Sequence, residues 1–327
     1  MESYDKMIDD YKEKHIEISP AYYLGKSLST LLRWLFLISI SFVILYPLFY
    51  MFSMSLRSTA DFYDITVVWV PKNFTLVHFK YVLTQLGIEK PMLRTVLITV
   101  LCVAAEIFIS SAVGYGFARF KFKGSNILFG IVVFTIIVPP QILNLSNYLL
   151  VKNFDIFGII EAITGAPSKI NLLDSVWAFF LPAISGMGIR SGLLILIFRQ
   201  FYASIPVELE EASLIDGCGF LKTYFKIMVP NLANTFLLCS IFSTVWYWTD
   251  YFYALIYLPT WKTMALQVQR IYELLYNRLG LTGDRTIYNI IPKTLAACLI
   301  FILPLLIMFL VVQKWFSQSI ENTGLVG

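Results

Sequence analysis

Three charged residues stand inside otherwise apolar runs: Glu106, Arg190 and Asp250. At the centre of a helix in hydrocarbon each costs about 2.5–3.5 kcal/mol or more, so each has to face protein or water. Asp250 lies in an aromatic cluster with Trp246, Tyr247, Trp248, Tyr251, Phe252 and Tyr253. Flat rings set against the C–H faces of a sugar, beside a carboxylate accepting from its hydroxyls, would make Asp250, Trp248 and Tyr251 part of a translocation path. An aromatic belt at the bilayer interface would give the same composition. Arg190, between Gly188 and Gly192, can snorkel, pair with an acid or line the path, and its surroundings in sequence do not choose among these. Glu106 has small neighbours (Ala104, Ala105, Ser110, Ser111, Ala112), which favour an interhelical bond between closely packed helices.

Other chemistry finds little to work with. The only histidines are His15 and His78, and Cys102, Cys218, Cys239 and Cys298 are scattered without ligand spacing, so neither a metal site nor a disulfide framework is expected. An intramembrane enzyme would need a nucleophile with a base, or a ligand set, and no catalytic residues are expected. The chain has no GxxxxGK[ST] phosphate loop. A net charge of +4 is too small and too dispersed to suggest nucleic acid.

The most structured polar segment is 204–234, SIPVELEEASLIDGCGFLKTYFKIMVPNLAN. Ser204 can cap a helix, Pro206 suits its first turn, and Glu208, Glu210 and Glu211 suit its positive end. That helix is expected to run to about Asp216, with Gly217 supplying a strained or left-handed turn. A second helix, from about Phe220 to Met228, is expected to end before Pro230. The pair forms a helix–turn–helix outside the bilayer, with Ala212 and Ser213 as a small-residue face for close approach by another protein.

These residues must be positioned by membrane helices. Apolar residues make up 58% of the chain and charged ones 14%, with mean hydropathy +0.72, against about 25% charged in a soluble protein. Six segments, 34–54, 93–116, 126–150, 176–199, 233–257 and 294–314, approach the roughly 20 apolar residues that a span requires. The loops at 57–92 and 258–293 are long enough for small amphipathic surface helices, and Gly158, Gly165 and Pro167 mark turns in 151–175. Lysine and arginine number twelve on each side, so charge leaves orientation open. The first apolar run is too long for a cleaved signal and is expected to be a retained anchor.

Glu211-Ala212-Ser213, three residues, Gly217, nine residues, Ile227, one residue and Val229-Pro230 together resemble the EAA loop of binding-protein-dependent ABC importer permeases. The pattern of that loop is EAA, three residues, G, nine residues, I-x-L-P. Ser213 and Val229 are mild departures. Arg199-Gln200-Phe201 with Ile205-Pro206, Tyr115 to Phe120 with Phe122-Lys123-Gly124, Pro140-Gln141, Trp248 to Phe252 and the terminal QKWFSQSIENTGLVG are similar to the carbohydrate-importer group that includes the second, shorter permease of the maltose importer. Thr249 stands where asparagine is usual. Residues 1–33 and 152–171 have no counterpart.

The resemblance implies an all-α integral membrane protein of six transmembrane helices with the type I permease fold. Its expected parts are a cytoplasmic extension (1–33), a first transmembrane helix (34–54), a permease domain (93–314) holding the coupling loop 204–230, and a cytoplasmic tail (315–327) lying against the ATPases. In the loop, Glu210, Glu211, Ala212, Ser213, Asp216, Gly217, Ile227 and Pro230 are implied to couple to an ATPase. Implied partners are a second permease of similar fold, two ATPase subunits that bind ATP and magnesium, an extracytoplasmic sugar-binding protein and membrane lipid; this chain itself is implied to bind no cofactor. A permease for another solute class remains open. An ion-coupled secondary carrier would usually show internal repeats, and none is evident.

The implied topology puts both termini and the loop in the cytoplasm of a multi-pass protein of the cell membrane. A cysteine at position 216 should therefore resist an impermeant thiol reagent in intact cells; ready labelling there would refute the topology.

Overall fold

The computed structural model describes residues 20–155, 162, 169–279 and 285–324, and the chain divides into two units, 1–74 and 75–327. The expected turns at Gly158, Gly165 and Pro167, and the side chains of the tail from residue 315, lie outside the described residues. In the first unit, helix α1 (Pro20–Ser55) begins well before the expected anchor, and its stretch Lys26–Ser55 is apolar and long enough to cross a bilayer. The loop after it is built on buried polar groups. Asp61 accepts from the Asn73 backbone and side-chain N–H groups at 3.0 and 2.9 Å and from Ser58 Oγ at 3.2 Å. The Asn73 backbone donor above all holds the Asp61 carboxyl below its usual range, against the opposing effect of burial.

The second unit contains α2 (Val77–Gln85), α3 (Glu89–Arg119), α4 (Ser125–Ile137), α5 (Asn144–Lys152), α6 (Trp177–Ile184), α7 (Ser191–Ser204) and α8 (Val207–Ile215). It continues with α9 (Phe220–Thr223), a π turn (Tyr224–Met228), a short α turn (Val229–Asn231), α10 (Ala233–Thr249), α11 (Phe252–Tyr257), α12 (Met264–Leu279) and α13 (Arg285–Gly324). Among the described residues three helical stretches are long and apolar enough to span alone: Lys26–Ser55, Glu89–Arg119 and Asn289–Lys314. The other three expected spans are interrupted. The span at 126–150 bends by 98° between Ile137 and Pro140, because adjacent prolines remove two backbone donors and push Val138 and Pro139 into extended backbone. That at 176–199 breaks at residues 185–190, where Gly186 and Arg190 take positive φ (+75° and +61°). That at 233–257 breaks after Thr249.

α3 is the axis of this unit, with α6, α7, α10 and α12 packed around it. The approach of α7 is very close. A Cβ placed on Gly114 would stand 2.7 Å from Phe198 Cβ and 2.9 Å from the Arg199 backbone N. Phe198 and Leu194 of α7 and Cys239 of α10 are completely buried around this contact. α4 joins α7 through the guanidinium of Arg199, which lies 4.0 Å from the ring centroid of Phe129. At the opposite end of α3, Thr95 Oγ1 accepts the Met264 N–H at 2.8 Å and so fixes the start of α12. The amphipathic α12 then buries Ile271 and Leu275 with Val82 of α2 and Ile290 of α13. Both long loops thus contain amphipathic helices as expected, and α2 and α12 each bury one face against the protein and leave the other exposed. Asp174 receives the backbone N–H groups of Thr260 and Trp261 at 2.8 and 2.9 Å. Burial pushes its pKa up, but these donors outweigh burial and hold the carboxyl below its usual range.

Gly114→Val should force α3 and α7 apart and lower stability by about 1–3 kcal/mol. Gly116→Ala is the control, since a Cβ there meets only Phe120 Cδ2, at 4.0 Å. Thermal melting of the purified protein should separate the two variants, and equal melting would disprove the close contact.

Candidate functional site

The polar segment after α7 is a helix pair held against α3. α7 turns by 74° into α8, and the helical run Phe220–Asn231 turns by 78° into α10. Pro206 stands at the N-cap of α8, but Ser204 does not cap it; its hydroxyl donates back to Phe201 O at 2.8 Å and closes α7. α8 ends in a Schellman arrangement: the Cys218 N–H reaches Ser213 O at 3.0 Å and the Gly217 N–H reaches Leu214 O at 3.1 Å. Gly217 has φ +79°, and a Cβ there would meet nothing within 4 Å, so backbone conformation, and not crowding, favours glycine here. The second helix does not stop before Pro230. It widens into the π turn and continues through Pro230, which takes a first-turn position in Val229–Asn231.

The faces of α8 are reversed from those of an ordinary surface helix. Its only buried residues are polar, Glu210 and Ser213, three apart on one side. Apolar side chains point outward instead: Ile215 is 85% exposed, and Leu214 is exposed too, as are Phe220 and Leu221 of α9. Glu208, Glu211, Ala212 and Asp216 share this outer surface, whereas Ile227 is half-buried and Pro230 exposed. Ser213, expected on the outer small-residue face with Ala212, faces inward. Its hydroxyl lies 2.8 Å from Thr223 Oγ1, so its small size lets α9 pack on α8.

One stripe of α3, with residues at intervals of four, holds this assembly: Ser111, Tyr115 and Arg119. Ser111 Oγ lies 2.8 Å from both Tyr202 OH of α7 and Tyr224 OH of the π turn. Tyr115 OH donates to Glu210 Oε1, and its ring packs on Tyr202 and Tyr224 with centroids 5.3 and 5.2 Å away. Arg119 Nε stands 3.0 Å from Glu210 Oε2, an ion pair whose angle falls short of a hydrogen bond, while its Nη2 donates to Ile205 O at 2.7 Å. The sequence groups Glu210 with the outward residues, yet its carboxylate is buried and paired. The spacing of Ser111, Tyr115 and Arg119 is a readable signal for this stripe, although nothing in the sequence names their partners.

The residues considered for a path do not converge. Trp248 is buried, donates from Nε1 to Phe301 O at 3.0 Å and stacks on Phe301. Asp250 turns both oxygens to the backbone, accepting from Tyr253 N at 3.3 Å and Ala254 N at 2.8 Å at the start of α11. Tyr251 and Arg190 are exposed, and the Arg190 guanidinium lies 4.9 Å from the Trp246 ring centroid. Glu106 is completely buried and makes interhelical bonds. It accepts from Ser191 Oγ of α7 at 2.7 Å and from Ser243 Oγ of α10 at 2.6 Å.

Residues 106–322 match the family described as "Binding-protein-dependent transport system inner membrane component". Protein LplC of Bacillus subtilis is 28% identical over 87% of this chain and 90% of its own length. The arabinooligosaccharides transport system permease protein AraQ of Halalkalibacterium halodurans is 27% identical over 93% of this chain and 100% of its own. A chain in the crystal structure of a bacterial ABC transporter involved in the import of the acidic polysaccharide alginate has a similar fold. Its TM-score is 0.66 at 20% identity, with 92% of this chain and 99% of that one covered.

Breaking a buried ion pair from one side leaves the other charge uncompensated. Glu210→Ala should lower stability by about 3–5 kcal/mol, and Tyr115→Phe by about 1 kcal/mol. The double change Arg119→Met with Glu210→Leu should be less damaging than the sum of its parts. Denaturation of the purified variants checks this order; strict additivity would show that the pair does not interact.

Proposed function

The chain belongs to the family of inner membrane components of binding-protein-dependent transport systems, and from that premise we propose that it is a permease subunit of an ATP-driven oligosaccharide importer. The relatives with transport names are permease proteins, and this chain is a transport subunit, not an enzyme. Sugar as cargo is supported by relatives named for arabinooligosaccharides, for diacetylchitobiose and for melibiose, raffinose and stachyose. The chain would form the translocation path with a second permease of similar fold. An extracytoplasmic binding protein would deliver the sugar, and two ATPase subunits, holding ATP and magnesium, would work from the cytoplasm, on the same side as both termini.

The observation that carries this reading is the reversed amphipathicity of α8. A helix that buries polar groups and exposes Leu214 and Ile215 beside Leu221 has an apolar patch suited to another protein. Glu211 and Asp216 at its edge can pair with basic residues of that partner. α8 is then the coupling helix, seated in the ATPase, with Ala212 permitting close approach. Glu210 and Ser213 act from behind by holding the helix to α3 and α9, and Gly217 sets its direction.

Glu211→Lys removes an interfacial charged hydrogen bond worth about 1.5–3 kcal/mol. Gly217→Val puts a side chain on left-handed backbone at about 1–2 kcal/mol. Either change should release the ATPase subunits or uncouple their hydrolysis from uptake, while sugar binding to the extracytoplasmic receptor is unaffected. ATPase co-purification and sugar-stimulated hydrolysis measure this, and wild-type values for both variants would refute the coupling role.

A further inference from the structure

We infer, on the oligosaccharide reading above, that the cargo is an acidic sugar and that Arg190, propped on Trp246, binds its carboxylate on the way through the membrane. Of the three charges that stand inside the expected spans, the two acids are engaged by the protein itself. Glu106 accepts from Ser191 and Ser243, and Asp250 from the backbone N–H groups of Tyr253 and Ala254. Arg190 is different. It is exposed, and among the described residues its side chain makes no hydrogen bond or ion pair. It stands immediately before α7, whose fourteen residues put about 20 Å of helix between it and the turn into α8. A span crosses about 30 Å of hydrocarbon, so this guanidinium lies at a depth where it needs water or an anion.

Two features hold it ready. Arg190 has φ +61°, a left-handed backbone that glycine enters freely and arginine does not. The nearby left-handed position 186 is a glycine, whereas at 190 the chain keeps a side chain in spite of the strain, as ligand clamps do. The guanidinium lies 4.9 Å from the Trp246 ring centroid, and Trp246 in turn stacks on Phe242 with centroids 5.9 Å apart and planes 12° from parallel. A ring holds a guanidinium without using its N–H donors. Those donors remain free to fork onto a carboxylate. Phe242, Trp246 and Thr249 follow one another at helical spacing on one face of α10, with Phe242 and Thr249 exposed. That face sets a flat apolar ring for the C–H side of a sugar close to a cation for its acid group. A neutral sugar would leave the cation unpaired, and this difference is the source of selectivity.

The test uses the complete transporter with its binding protein in proteoliposomes, with trigalacturonate, its methyl ester and neutral xylotriose as cargoes. ATP-driven import of trigalacturonate should exceed that of the ester by about 10-fold, the equivalent of one charged hydrogen bond. Arg190→Gln should lower import of the acid by about 10-fold and leave that of the ester unchanged. Arg190→Lys, a point charge without the fork, should fall between. Arg190→Gly separates binding from folding: glycine suits this backbone, so the melting temperature should not fall, while import of the acid falls as in the glutamine variant. Wild-type import of the ester as fast as the acid, or of xylotriose alone, would overturn the role of Arg190 and leave the oligosaccharide reading standing. Equal loss of every cargo in the variants, with separation of the two permeases, would also overturn it, by giving Arg190 to an acid of the second permease. Absence of ATP-driven uptake of any sugar would overturn the oligosaccharide reading and the role of Arg190 with it.

Discussion

A bilayer offers no hydrogen-bond partner to a free peptide group, so each interruption of a helix within it has to be satisfied from inside the protein. This chain interrupts three of its six expected spans, and its internal polar groups are placed accordingly. Tyr247 OH takes the Ile189 N–H in the fourth span. Asp250 takes the Tyr253 and Ala254 N–H groups where the fifth span restarts as α11. At the prolines of the third span the chain needs fewer such partners, because two donors are missing altogether. The intramembrane acids are thus explained first by backbone and packing, before any contact with solute is invoked.

The same constraint ranks the polar interactions. An exposed ion pair contributes about 0–1 kcal/mol, whereas loss of one member of a buried pair costs several times more. Lys72 and Asp64 belong to the first kind, and Arg119 and Glu210 to the second, with side chains only 7% and 10% exposed. The buried pair lies where α3 meets α8. A buried electrostatic link therefore joins α3 to the segment proposed to meet the ATPase. The tyrosines around it add area and direction: Tyr115, Tyr202 and Tyr224 have ring centroids within 6.3 Å of one another and hydroxyls aimed at Ser111 or Glu210.

Span positions and the turn at Gly217 are legible in the sequence because they depend on local composition and on a backbone that only glycine enters freely. Side-chain direction is not. Along 207–216 polarity alternates without a clear face, so Glu210 and Glu211 look equivalent in sequence although one is buried and the other exposed. Arg119, which decides between them, lies far away along the chain. Trp248 and Asp250 look like an aromatic cluster with an acid because adjacent residues suggest a common environment. In a helix neighbours point about 100° apart, and here Trp248 turns to Phe301 while Asp250 turns to the next backbone segment. Ser204 has the residue type of a helix cap, but its hydroxyl finds an acceptor in the preceding turn.

The π turn at Tyr224–Met228 bears on which changes of chain length this protein can inherit. Its closing bond runs from the Val229 N–H to the Tyr224 carbonyl, one residue wider than an α turn. Loss of a single codon there would yield a more regular helix with better hydrogen-bond geometry. It would also shorten the spacing of Tyr224 and Met228, now buried together, from four residues to three, a spacing that an α-helix still holds on one face. Such a deletion would pass any local criterion of helical quality and still change by one residue the spacing between Gly217 and Pro230. The nine residues between Gly217 and Ile227 are in this sense a ruler, and its length is a heritable character that no single side chain encodes.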